Sequence, residues 1–158
     1  MSSKPRLLLA FILAVLLASL LASIFQTQTN LAALQALGAP MPMDVRLGTT
    51  CLDLLGFAPT FALLSTLGFI FALPLAAWCA RRMPTLRWAI FLLAGAIAIW
   101  CALALANTLA PMPTLIAADR SSLGTLGLMF CGSVGALLFG LLGRRAGRPA
   151  SSTSSDSL

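Results

Sequence analysis

Three carboxylates, three thioethers and one thiol are the groups in this chain best placed to do chemistry outside its apolar stretches. The carboxylates are Asp44, Asp53 and Asp119; the thioethers are Met41, Met43 and Met112, with Cys51 nearby in sequence. A pair of carboxylates can share acid and base roles, and soft sulfur donors suit Cu(I). Neither pattern is filled out. The chain has no histidine, no tyrosine and no glutamate, so no nucleophile–base pair can be assembled. No G-x-S-x-G, P-loop or zinc-ligand spacing occurs. The reading is therefore not an enzyme, with no catalytic residue, no resident metal and no cofactor. Asp44 and Asp53 read as solvated loop charges. The methionines fall in and around two copies of Ala-Pro-Met-Pro, at Ala39–Pro42 and Ala110–Pro113. Proline explains that spacing, because it stops helices and holds the chain extended at a turn. Copper handling through Met41, Met43 and Met112 stays a distant alternative. Each copy is followed by Leu-Gly-Thr, at Leu47–Thr49 and Leu123–Thr125, which raises the possibility of a duplicated two-helix hairpin.

The elements that carry these residues follow from composition. The chain has 158 residues, 59% hydrophobic and 9% charged, against about 25% charged in a typical soluble domain. Lipid is the solvent that such a surface needs. Four apolar segments lack Asp, Glu, Lys and Arg: 7–25, 59–80, 88–109 and 122–142. At about 20 residues each they match a hydrocarbon core of ~30 Å. Backbone groups in lipid must be satisfied within the segment, so each is expected to be a helix. The fold class is an all-α membrane protein, a four-transmembrane-helix bundle forming a single domain over residues 1–148. The first span is longer than a signal-peptide core and lacks a good cleavage site, so it reads as an uncleaved anchor.

Lys4, Arg6, Arg81, Arg82, Arg87, Arg144, Arg145 and Arg148 fall on one side of this arrangement, and only Arg46 and Arg120 on the other. By the positive-inside rule both termini are cytoplasmic. The net charge of +6 thus reports orientation, and a nucleic-acid partner is not expected because the bases form no continuous face. Trp78 and Trp88 flank the cytoplasmic turn as interfacial aromatics. The tail 149–158, rich in serine, has the composition of a disordered segment.

The external loop, residues 26–58, is read as two short amphipathic helices lying at the membrane surface. Leu31–Leu37 ends at Gly38, and Thr49–Gly56 takes Thr49 or Thr50 as its N-cap and Gly56 as its stop. Pro59 then fits the first turn of the second span, and Pro74 inside it removes the hydrogen bond to the Ile70 carbonyl. Arg46 and Arg120 are candidates to pair with Asp53 or Asp119 across the external loops. Asp119 or Ser121 is expected to cap the fourth span. A polar fringe at the external helix ends, Gln26, Thr60, Asn107 and Thr108, outlines a shallow vestibule for a small ligand.

Small residues four apart let helices approach closely in lipid. Every span has such a row: Ala10/Ala14/Ala18/Ala22, Gly68/Ala72/Ala76/Ala80, Ala94/Ala98/Ala102/Ala106, and Gly127/Cys131/Gly135 with Gly132, Ala136 and Gly140 beside it. The fourth, richest in glycine, is expected to be the central helix or an oligomer contact. The absence of charge inside any span argues against a pump or an ion-coupled carrier.

"QTNLAAL" (Gln28–Leu34), "VRLGTT" (Val45–Thr50) and "GFAPTFALL" (Gly56–Leu64) resemble a group of small four-span inner-membrane proteins of proteobacteria. The resemblance covers most of the chain and implies a location, with no particular chemistry. The combined expectation is a non-enzymatic multi-pass protein of the bacterial inner (plasma) membrane. It would act as an accessory or assembly subunit, with a protein partner or a second copy meeting span four or the external loop. The alternative is a small facilitator or binder of an apolar ligand or lipid on the external side.

Overall fold

The computed structural model describes residues 3–38, 40, 42–109 and 121–146. Among them are four long α-helices: α1 (Ser3–Ala36), α2 (Met43–Arg82), α3 (Arg87–Leu109) and α4 (Ser122–Ala146), with one 3-10 turn, Pro84–Leu86, joining α2 to α3. All four are long and apolar enough to cross a membrane. Their outward surfaces agree: Leu8, Leu63, Phe71 and Phe130 are all more than half exposed, a greasy exterior that a water-soluble domain does not present.

Each helix packs on two neighbours in the cyclic order α1, α2, α3, α4, and α4 makes the most extensive contacts, with α1 and α3. The interior holds Phe61, Phe69, Leu73, Phe91, Ile99 and Leu128, each essentially inaccessible, beside the alanine row of α1, where Ala10, Ala14, Ala18 and Ala22 are all buried. The glycines of α4 set the spacing. A methyl group on Gly135 would lie 2.6 Å from the Ala14 carbonyl oxygen, and one on Gly140 would lie 2.6 Å from the Phe91 ring. Gly127 faces Phe25, and Gly132 faces Ile99. On the α2–α3 side, a methyl on Gly68 would meet the Ala98 carbonyl oxygen at 2.9 Å. Cys131 and Ala136 are buried in the same face. The small-residue face of α4 is thus used within the chain, against α1 on one side and α3 on the other.

Two interactions finish the basic end. The Arg87 guanidinium donates to the Gly140 carbonyl oxygen at 3.0 Å and sits 5.3 Å from the Phe91 ring centre, tying the start of α3 to α4. Arg82 sits 5.3 Å over the Trp78 ring, and Arg81 and Arg82 close the last turn of α2, the favourable end of the helix dipole for cations.

The external loop differs from expectation. α1 does not end at Phe25 but continues to Ala36, and α2 begins at Met43, sixteen residues before Pro59. The two short surface helices are the ends of these long ones. Gly38 does stop α1, with φ +87 and its N–H donating to the Gln35 carbonyl at 3.0 Å. Gly56 is no stop, and Thr49 and Thr50 cap nothing; their hydroxyls donate to the carbonyls of Val45 and Arg46 one turn back. Pro42 takes the N-cap position, with Asp44 in the first turn. Pro59 and Pro74 both lie inside α2, which continues through them to Arg82. The reason is tertiary. Thr and Asn after Phe25 are weak but permissible helix formers and Gln is a good one, and α1 and α2 keep pairing beyond them, burying Thr27 and Leu31. Ser121 does cap α4, its Oγ accepting from the Gly124 N–H at 3.0 Å.

The glycine contacts give a contrast in stability. Gly135→Ala must displace backbone and is expected to cost about 1–3 kcal/mol. Gly56→Ala, with nothing within 4 Å of the new methyl, is expected to be neutral or to gain up to about 1 kcal/mol from helix propensity. Unfolding of the detergent-purified chain measures both.

Candidate functional site

The feature that sets this bundle apart is its longer end. α1 has 34 residues and α2 has 40, about 50 and 60 Å at 1.5 Å per residue, while α3 has 23 and α4 has 25. Facing residues fix the register. Phe25 lies against Gly127, and Gly68 against Ala98. Counting outward from those contacts, α4 begins level with about Asn30 and α3 ends level with about Phe57. Beyond those levels, among the described residues, α1 and α2 continue as a helical hairpin that closes at Gly38.

Two cross-helix hydrogen bonds hold this hairpin. Near its tip the Arg46 guanidinium donates to Gln35 Oε1 at 2.8 Å. At its base the Thr27 hydroxyl lies 2.7 Å from Asp53 Oδ2 and 2.8 Å from the Ser23 carbonyl oxygen one turn below. Thr27 is fully buried and Asp53 half-buried. Arg46 and Asp53, candidates to pair with each other, instead find partners on α1; Asp119 and Arg120, the other members of the expected pairing, lie outside the described residues. Asp53 is not the solvated loop charge that its position suggested, because α2 extends inward from it and turns it toward α1.

Around Thr27 the interior is polar. Ser23 is fully buried and Gln26 is 8% exposed; Ser23 Oγ and Gln26 Oε1 have no hydrogen-bond partner. On α1, Thr27 and Ser23 stack one turn apart on the side facing α2, while Phe25 faces α4. Gln26, between Thr27 and Phe25 in sequence, faces the bundle interior. This tier was not anticipated. Gln26 was expected on an open vestibule, and Ser23 carried no signal beyond being a small polar residue in an apolar run.

The other vestibule residues are differently placed. Thr60 is exposed, its hydroxyl 3.4 Å from the Gly56 carbonyl oxygen, and Thr108 is exposed and donates to the Leu105 carbonyl at 2.8 Å. Asn107 lines a recess of about 250 Å³ with Trp100, Leu103, Ala104 and Thr125. Beside it runs an open groove of about 500 Å³ between α3 and α4, lined by Ile97, Trp100, Ser122, Thr125, Leu126 and Met129. Of the sulfur residues, Met43 is exposed at the start of α2 and Cys51 is an exposed free thiol on the hairpin. Met41 and Met112 lie outside the described residues, as does the second Ala-Pro-Met-Pro. The two Leu-Gly-Thr fragments both fall near helix starts, in α2 and α4.

The hairpin's outer faces are apolar. Leu37 is 85% exposed, Leu47 63%, Leu52 71% and Leu55 79%. Unpaired leucines at this density on a projecting element mark a surface suited to contact with another apolar surface.

Thr27→Val keeps the side-chain volume and removes the hydroxyl that faces Asp53. It is expected to lower stability by about 1 kcal/mol, while Thr27→Ser retains most of that; thermal unfolding in detergent reads the difference. No protein family, no curated protein and no solved structure matches this chain.

Proposed function

We propose that this protein is a non-enzymatic multi-pass protein of the bacterial inner (plasma) membrane that serves as an accessory or assembly subunit. Its α1–α2 hairpin is the part that meets a protein partner on the external side. The observation that carries this reading is the hairpin itself, which outreaches α3 and α4 and exposes Leu37, Leu47, Leu52 and Leu55. Isolated exposed leucines are ordinary; a row of them on a rigid, hydrogen-bonded projection is a docking feature. The membrane frame supports the placement. With Leu7, Trp78, Trp88 and Leu142 at one edge, a hydrocarbon core of ~30 Å ends near Gln26, Ala58, Thr108 and Ser122, and the hairpin lies outside it. The arginines crowd the opposite end, which supports a cytoplasmic location for both termini.

The apolar groove between α3 and α4 favours a second reading, a lipid-binding subunit that holds an acyl chain along Trp100 and Met129. Purification in mild detergent with native mass spectrometry separates the two. A stoichiometric protein partner is expected with the parent chain and is lost in Leu47→Glu/Leu52→Glu, whose unfolding temperature stays unchanged. A lipid retained by both chains with no protein partner supports the second reading and overturns the first.

Cys51 supplies the topology test. A membrane-impermeant maleimide is expected to label intact cells at Cys51 and to leave the Cys51→Ser variant unlabelled. Labelling that needs cell lysis overturns the assigned orientation.

A further inference from the structure

We infer that Ser23, Gln26, Thr27 and Asp53 form a binding site for a small monovalent cation such as sodium, reached from the outer end between α1 and α2. The argument begins with how this bundle treats its buried hydroxyls. Ser19, Ser65 and Ser133 are all buried, and each donates to a carbonyl of its own helix, those of Val15, Ala62 and Met129. That is the ordinary way to hide a hydroxyl in an apolar interior. Ser23 does not follow it; Ser23 Oγ has no partner, and neither does Gln26 Oε1. Among the described residues these two anomalies fall together, within four residues of each other and beside Thr27.

The hydrogen-bond balance explains what is missing. Asp53 offers carboxylate oxygens, Gln26 an amide oxygen, and Ser23 both a carbonyl and a hydroxyl oxygen. Against these acceptors, Thr27 has one hydroxyl hydrogen, and that hydrogen lies between two of them, the Ser23 carbonyl oxygen at 2.8 Å and Asp53 Oδ2 at 2.7 Å. Ser23 adds one more, and the Gln26 amide carries two N–H donors. What the cluster lacks is a positive charge: its one formal charge is negative, and no basic side chain among the described residues pairs with it. Arg46, the basic residue on this hairpin, is bonded to Gln35 instead. Unsatisfied buried acceptors and an uncompensated charge are both costly. A water molecule supplies hydrogens but leaves the charge unpaired; a cation meets both needs.

The donors define the ion. They are oxygens only, which suits a hard cation. One carboxylate neutralises a single positive charge. No group of three His, Cys, Asp or Glu side chains gathers among the described residues, so a multivalent or soft metal finds no matching set here. Access comes from the half-buried Asp53 side. Toward the other end the interior continues as Ala18, Ala22, Phe61 and Leu128, all buried and apolar, so the site is a terminus and not part of a pathway. An ion held there would clamp the base of the hairpin to α1, whatever the hairpin contacts.

The test is thermal unfolding of the full chain, purified in mild detergent, with choline chloride replaced by lithium, sodium or potassium chloride at constant ionic strength. One alkali cation is expected to raise the unfolding temperature with the logarithm of its concentration, by about 3–5 °C at roughly tenfold above its dissociation constant. Asp53→Asn and Gln26→Leu each remove that rise. If Asp53→Asn does not fold, Gln26→Leu carries the variant comparison, and the titration of the parent chain still decides. Equal unfolding temperatures in all four salts overturn the proposal and leave the cluster to water. An equal rise in Gln26→Leu or Asp53→Asn also overturns it, because the ion would then act elsewhere.

Discussion

The arrangement of this bundle depends on how near α4 can come to α1 and α3. Helices in hydrocarbon gain little by burying apolar side chains against each other, because lipid tails are as apolar as leucine. What remains is close contact between surfaces. Gly135 permits the Ala14 backbone to touch α4, Gly132 seats the Ile99 side chain, and Gly140 receives the Phe91 ring. Each contact fills the space that a methyl group would need. Van der Waals attraction falls steeply with separation, so these positions determine the spacing of α1, α3 and α4 together. The glycines are distributed over both sides of α4, which is why that helix is the most enclosed of the four and makes the most extensive contacts.

That spacing has a consequence for the polar residues. An interior drawn tight by glycine and alanine has little room for water, so buried hydroxyls turn back onto their own helices. Ser19, Ser65 and Ser133 do so, and Thr49 and Thr50 do the same on the hairpin. The base of the hairpin breaks the rule. There Thr27 also reaches across to Asp53 on the next helix, and the neighbouring Ser23 and Gln26 keep open hydrogen-bonding capacity. The polar tier therefore coincides with the level where the four-helix interior narrows to two helices.

Much of the helical architecture was legible in the residues. Four charge-free apolar runs imply four helices, since a backbone without water must satisfy itself. The alanine row of α1 and the glycines of α4 were recognisable as contact faces by their spacing, Gly38 as a helix stop and Ser121 as a cap. The outer segment was misjudged. Gln26 to Asn30 looked like the end of a helix, and it is not; α1 runs on to Ala36. Gly56 and Pro59 looked like a stop and a start, yet both lie inside α2. Local helix signals were weak there, and pairing between α1 and α2 decided the outcome. Cross-loop pairing involving Asp119 and Arg120 concerned residues outside those described.

The sequence by itself determined the number of long apolar helices and the sorting of arginines toward one end, because these follow from local composition and from the cost of leaving backbone groups unpaired. Only the tertiary structure decided that α1 and α2 run on as a hairpin, that Asp53 meets Thr27 and that Ser23 Oγ and Gln26 Oε1 are buried without partners. Those outcomes depend on the antiparallel register of helices whose contacting residues lie far apart in the chain. Register is set by side-chain fit across the interface, and no short stretch of sequence contains both halves of that fit.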